Sequence, residues 1–138
     1  MLKKALFLLV AAGAVAAVLA WPRIYDVETG KTAEYPDLKP RTYGAPEAEV
    51  VRATREAVSG MRDWRLVGSG RGPGGSEVRA VRALPILGFE YEITVRIRRS
   101  GSRTDVAIRS RSKVEIWDFG QNARNVRALL ASLDRSVR

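Results

Sequence analysis

The 138-residue chain contains neither cysteine nor histidine. Without cysteine there are no disulfides, so an exported part of this chain rests on its apolar core. The two absences together remove Cys/His zinc sites, haem ligation, a cysteine nucleophile and a Ser-His-Asp triad. Carboxylates, Lys, Arg, Tyr, Ser and Thr are the chemistry that remains. No metal and no cofactor is expected from such a set. Aromatics are few, at 7%, and there is no internal repeat or low-complexity block. Acid is in short supply too: 15 acidic residues face 24 basic ones, a net charge of +9. That excess fits a phosphate, a lipid headgroup or an acidic protein as partner. An arginine-rich solvated surface accounts for it equally simply and is the preferred reading.

What is present starts with Ala5–Trp21, a run that no charge interrupts. Lys3 and Lys4 precede it and Arg23 follows it. As a helix the run spans about 25 Å, against a hydrocarbon core of about 30 Å. Leu6 and Phe7 would face lipid, and Trp21 falls where an interfacial aromatic belongs. The two lysines favour a cytoplasmic N-terminus. A signal peptide shares the basic start and apolar centre, and Val18-Leu19-Ala20 suits cleavage before Trp21. The absence of cysteine rules out a lipoprotein anchor. The reading carried forward is a retained single-pass anchor in the inner membrane, with everything from Pro22 onward in the periplasm. Nucleic acid is not an expected partner there.

Three segments follow: an anchor or signal peptide over 1–21, an extended tether over 22–45, and an α+β domain over 46–138. Pro22, Pro36 and Pro40 break the tether, and Gly30 and Gly44 loosen it. Ile24, Tyr25, Val27, Tyr35, Leu38 and Tyr43 are too apolar for a free linker. They are expected to pack into grooves of the chain's own domain or of a neighbouring subunit.

Pro46 suits a first helical position, and Glu47 and Glu49 oppose the helix dipole. The helix should run to about Ser59, with Val50, Val51, Thr54, Ala57, Val58 and Met61 on one stripe. Trp64–Val67 reads as a short strand. Gly68–Gly75 reads as a mobile hairpin loop, since no helix follows it as a phosphate cradle requires. Glu77–Leu84 is the next strand, ended by Pro85. From Phe89 to Arg98 the alternation is clear, with Phe89, Tyr91, Ile93, Val95 and Ile97 on one face. Thr104 to about Ile116 returns, with Val106, Ile108, Val114 and Ile116 inward.

The pairing of these two strands can be predicted. Setting Arg98 opposite Asp105 places Glu92 on Arg111, Glu90 on Lys113, Ile97 on Val106 and Val95 on Ile108. Three opposite-charge pairs favour this register, at a few tenths of a kcal/mol each. Asp118 should cap the last helix, with Gln121 as its capping-box partner. Phe119, Ala123, Val126, Leu129, Leu130, Leu133 and Val137 form that helix's stripe. The predicted order is α-β-β-β-β-α: a four-stranded antiparallel meander with both helices on one face.

The run Ser112 to Arg124 resembles the closing motif of the uncharacterised bacterial and plastid domain-of-unknown-function family numbered fourteen ninety-nine. Ser112, Val114, Asp118, Gly120, Asn122, Ala123 and Arg124 match that motif without a gap. Upstream, Asp26-Val27, Thr29-Gly30, Tyr35-Pro36-Asp37-Leu38 and Pro40-Arg41 resemble a membrane-tethered subgroup. Trp64 and Phe89 also fall where the family has such residues. Two departures stand out. Glu115-Ile116-Trp117 replaces a polar Gly-Arg-Ser, and Tyr91-Glu92 replaces paired acids. The resemblance implies an exported, often tethered α+β domain and no established activity.

The functional expectation is a non-catalytic accessory or structural subunit of an integral membrane protein complex, photosynthetic or respiratory. Its contacts would run through Tyr25, Tyr35, Tyr43, Ile116, Trp117, Asn122 and Arg124, with membrane lipid around the anchor. An exposed Ile-Trp suits protein contact. Plain packing of the tyrosines and Trp117, and helix-start hydrogen bonding by Asn122, are the structural alternatives. A second reading is a lipid-headgroup or small-anion binding module using Arg96, Arg98, Arg109, Arg111 and Lys113. An enzyme built on Glu90, Glu92, Glu115 and Asp118 is the weakest, because cross-strand pairing and capping already explain those carboxylates.

Overall fold

The computed structural model describes residues 1–20, 23–115 and 117–138. Trp21 and Ile116 lie outside them, and so do the interface and contact roles expected of those two residues.

Helix α1 (Leu2–Ala20) buries none of its side chains. Among the described residues it is the one helix long and apolar enough to cross a membrane. Its 19 residues span about 28 Å, close to the hydrocarbon thickness. Leu6 and Phe7 are among its most exposed side chains.

The rest is one antiparallel sheet with two helices packed on one face. Its strands are β1 (Asp26–Glu28), β2 (Arg41–Tyr43), β3 (Trp64–Gly72), β4 (Gly75–Ala83), β5 (Glu90–Ser100) and β6 (Arg103–Ser112). The order across the sheet is β1-β6-β5-β4-β3, with β2 also on β6. The expected four-stranded meander is thus the central part of a six-stranded sheet. The correction comes from the segment expected to be a tether. β1 pairs with the end of β6 and β2 with its start, so together they cover an edge that would otherwise be bare. Val27, Leu38 and Tyr43 from this segment join the domain's own core.

Helix α2 (Glu47–Gly60) follows Pro46 and carries Glu47 and Glu49 in its first turn. It packs on β3, β4 and β5, while α3 (Gln121–Ser136) packs on β6, β1 and α2. Alternation explains the core between them. Ile93, Val95 and Ile97 of β5 and Val106 and Ile108 of β6 are fully buried beneath Val50, Val58, Val126, Leu129 and Leu133. Each such side chain contributes about 1.5–3 kcal/mol by leaving water.

The β5–β6 register is the predicted one. Arg98 faces Asp105, Glu92 faces Arg111, Ile97 faces Val106 and Val95 faces Ile108. Some side chains choose other partners: Arg111 turns to Glu115, and Asp105 accepts a hydrogen bond from Thr42. Three local expectations are corrected. Gly68–Gly72 belongs to β3, bulged between Leu66 and Gly68, and the turn to β4 is only Pro73-Gly74. Strand β6 ends at Ser112, so Val114 is exposed rather than inward. Phe119 stands 44% exposed, out of the α3 stripe.

Candidate functional site

Strand direction decides where the chain's special residues meet. β1 runs antiparallel to β6, so its first residue, Asp26, lies opposite Arg111 near the end of β6. The chain arriving from α1 therefore joins the domain where β6 ends, β5 begins and α3 begins. The β4–β5 loop lies at the same end, because Ala83 pairs with Glu90.

The β6–α3 connection is built on buried polar groups. One Asp118 carboxylate oxygen accepts the Gly120 amide at 2.8 Å and the other accepts the Asn122 amide at 2.9 Å. These amides belong to a helix start that lacks intrahelical partners, so Asp118 does bond the start of α3, but from two residues before the N-cap, which is Gly120 in left-handed conformation and not Asp118 as expected. The reciprocal half of the capping box does not form: Gln121 donates instead to Asn125 at 2.8 Å. Asn122 is wholly buried and donates to Ser112 at 2.8 Å and to the Tyr25 carbonyl at 3.1 Å. Ser110 donates to Asn122 at 2.7 Å and accepts from Asn125 at 3.1 Å. Asn125 also accepts from Arg82 at 2.7 Å. This lattice fastens α3 to β6, and through Tyr25 it holds the incoming chain as well. Sequence reading singled out Ser112 only as a match to the family motif and passed over Ser110 and Asn125. The signal was available: serine interrupts the inward alternation of β6 at both 110 and 112.

Over the lattice an open cleft of about 250 Å³ is lined by Leu84, Phe89, Tyr91, Val114, Trp117 and Phe119, with Glu90, Ser112, Asp118, Gln121 and Arg124 on its polar side. A second hollow, of about 470 Å³, shares Trp117 and Phe119 and adds Arg23, Tyr25 and Glu115. Trp117 stands between the two, with the Arg23 guanidinium 4.9 Å from its ring centre. Tyr91 is 5% exposed. Burial first, then the Asp118 carboxylate, push its hydroxyl above the ordinary phenol range, so it stays protonated.

The expected contact residues separate into groups. Trp117, Arg124 and Tyr25 come together around the two hollows. Arg124 lies on the rim, donating to the Phe119 carbonyl at 2.9 Å and to Gln121 at 3.0 Å. Tyr35 is half-buried elsewhere, under the Arg127 guanidinium at 5.5 Å. Tyr43 is buried and donates to Asp134 at 2.7 Å. Tyr43 and Asn122 thus serve the interior and offer no surface to a partner.

The loop Pro85–Gly88 leaves Ile86 79% and Leu87 81% exposed. Leu87 has a φ of 68° and Phe119 a φ of 49°. Left-handed backbone costs a residue with a Cβ roughly 1–2 kcal/mol.

Of the five outer-face cations expected to bind an anion, Arg96, Arg98, Arg109, Arg111 and Lys113, four are engaged. Arg96 pairs with Glu28 at 3.1 Å, Arg109 with Asp26 at 2.9 Å, Arg111 with Glu115 at 3.1 Å, and Lys113 with Glu90. Two of the four carboxylates a catalytic reading would need, Glu90 and Glu115, are held in these pairs, and Asp118 holds two backbone amides. Lys113 holds the Glu90 carboxyl below its usual range, ionised rather than poised as an acid. Among the described residues no group of three or more Asp or Glu is placed to hold a metal ion.

Fold and site together define a small α+β domain with an apolar cleft, carried behind an N-terminal helix apolar enough to span a membrane. The chain belongs to the family described as protein of unknown function (DUF1499), whose model matches residues 16–133. No curated protein matches it.

Proposed function

We propose that this protein is a single-pass, membrane-anchored accessory subunit that docks its cleft-bearing end against components of an integral membrane complex, without catalysing a reaction. The observation that carries this reading is where the apolar surface sits. Ile86, Leu87, Val114 and Phe119 are all exposed, and all lie at the end of the domain that the anchor enters. Arg23 follows Ala20 by three residues, so the domain begins within about 11 Å of the helix end. So short a connection keeps that end close to the bilayer, where apolar side chains contact lipid or the flank of another membrane protein. The opposite end carries the polar turns Pro73-Gly74 and Gly101-Ser102. Lys3 and Lys4, in the first turn of the helix, support a periplasmic location for the domain.

Extraction in mild detergent tests the reading. The full chain should migrate within an assembly larger than itself, and an Ile86→Ser/Leu87→Ser variant should separate from that assembly while keeping its thermal stability. A wild-type chain that always migrates alone as a monomer contradicts the proposal.

A further inference from the structure

The cleft carries a feature that docking does not use. Its walls are apolar: Leu84, Phe89, Val114, Trp117 and the ring of Tyr91. Its floor has two hydroxyls from register partners on neighbouring strands, Tyr91 of β5 and Ser112 of β6. Tyr91 is 5% and Ser112 6% exposed. Ser112 accepts a hydrogen bond from Asn122 at 2.8 Å, which leaves its own proton to give. Among the described residues the Tyr91 hydroxyl makes no hydrogen bond, and no residue accepts from Ser112. Among the described residues the one buried side-chain polar atom without a partner is Arg82 Nε, so the Tyr91 hydroxyl is open to the cleft's solvent rather than stranded. Apolar walls with two hydroxyls on the floor are the make-up of a small-molecule site.

We infer that the cleft is a binding site for a neutral, apolar molecule bearing a carbonyl oxygen, which accepts hydrogen bonds from Tyr91 and Ser112 while its ring or short chain fills the space between Phe89 and Trp117. Size limits the ligand. An enclosed cavity of about 150 Å³ takes up benzene, so an open cleft of about 250 Å³ seats one ring with its carbonyl and leaves a second ring at the mouth. Charge limits it too. The lining holds two carboxylates, Glu90 and Asp118, against one cation, Arg124, which disfavours a carboxylate ligand, and Glu90 is already paired with Lys113, which leaves it unavailable to an ammonium. Asp118 is already committed, with each oxygen holding a backbone amide. The site stands apart from the docking reading, since it needs no protein partner.

Benzophenone, two rings joined by one carbonyl, serves as both ligand and photolabel for the full chain in lipid nanodiscs. Irradiation followed by peptide mapping should place adducts in the peptides containing Leu84 and Val114. Benzophenone dissolved in the bilayer will also label α1, which gives an internal reference. Excess acetophenone should suppress cleft labelling relative to α1, whereas ethylbenzene, of similar size but without the oxygen, should do so roughly two- to tenfold less well, the value of one hydrogen bond. Tyr91→Phe keeps the ring and should lower cleft labelling by a similar factor, with α1 labelling and the melting temperature unchanged. Equal competition by the two compounds overturns the inference, and so does cleft labelling no higher than that of the polar far end.

Discussion

Leu87 is the residue at which the account is most exposed. It holds a large apolar side chain in water on left-handed backbone, a conformation that asparagine tolerates far better. If the leucine served the fold, replacing it would cost stability. If it serves contact, Leu87→Asn should leave the melting temperature equal or raised, by up to about 1 kcal/mol of relieved strain, while weakening association at the anchor end. Thermal unfolding in detergent, set beside co-migration, separates the two roles. Asn122 is its opposite. Its side chain is wholly buried and bonded to Ser110, Ser112 and the Tyr25 carbonyl. Asn122→Ala strands those partners and should cost about 3 kcal/mol in urea unfolding. A loss below about 1 kcal/mol would mean that water replaces the lattice without difficulty.

At the level of elements, the strand β1 shows what sequence reading reaches and what it misses. The β5–β6 register was legible because both strands alternate cleanly and three charge pairs agree on one alignment. β1 and β2 were not, because three residues hold no period. The prolines and glycines around them read as tether, and only the apolar side chains there hinted at packing. The polar side of the cleft was hidden for another reason: it joins serines of β6 to asparagines of α3, and that pairing needs tertiary contact. The hydrogen bonding of Asp118 at the start of α3 was local and could be read, but not that Gly120 takes the N-cap position. β1 itself depends on charge at its edge. A hydrogen bond from Arg109 is the main cause that lowers the Asp26 pKa from its ordinary 3.8. A carboxylate lowered in this way adds stability above its unfolded value, and the gain is lost as pH falls through the lowered one. The stability difference between wild type and Asp26→Asn should therefore stay flat above about pH 5 and shrink below pH 3.8. A difference that grows on acidification would place the interaction elsewhere.

The molecule as a whole is an apolar helix joined by a very short connection to a domain whose nearest end is its least polar. The orientation proposed above rests on that geometry, and the absence of cysteine makes it simple to measure. Spin labels at Leu87→Cys and, separately, at Ser102→Cys on the β5–β6 turn can be read by power-saturation EPR, with the full chain in nanodiscs of purified lipid. The account predicts that the label at 87 relaxes with oxygen and is shielded from a water-soluble nickel complex, as at a membrane interface, while the label at 102 behaves as in water. Equal aqueous exposure at both positions would contradict it.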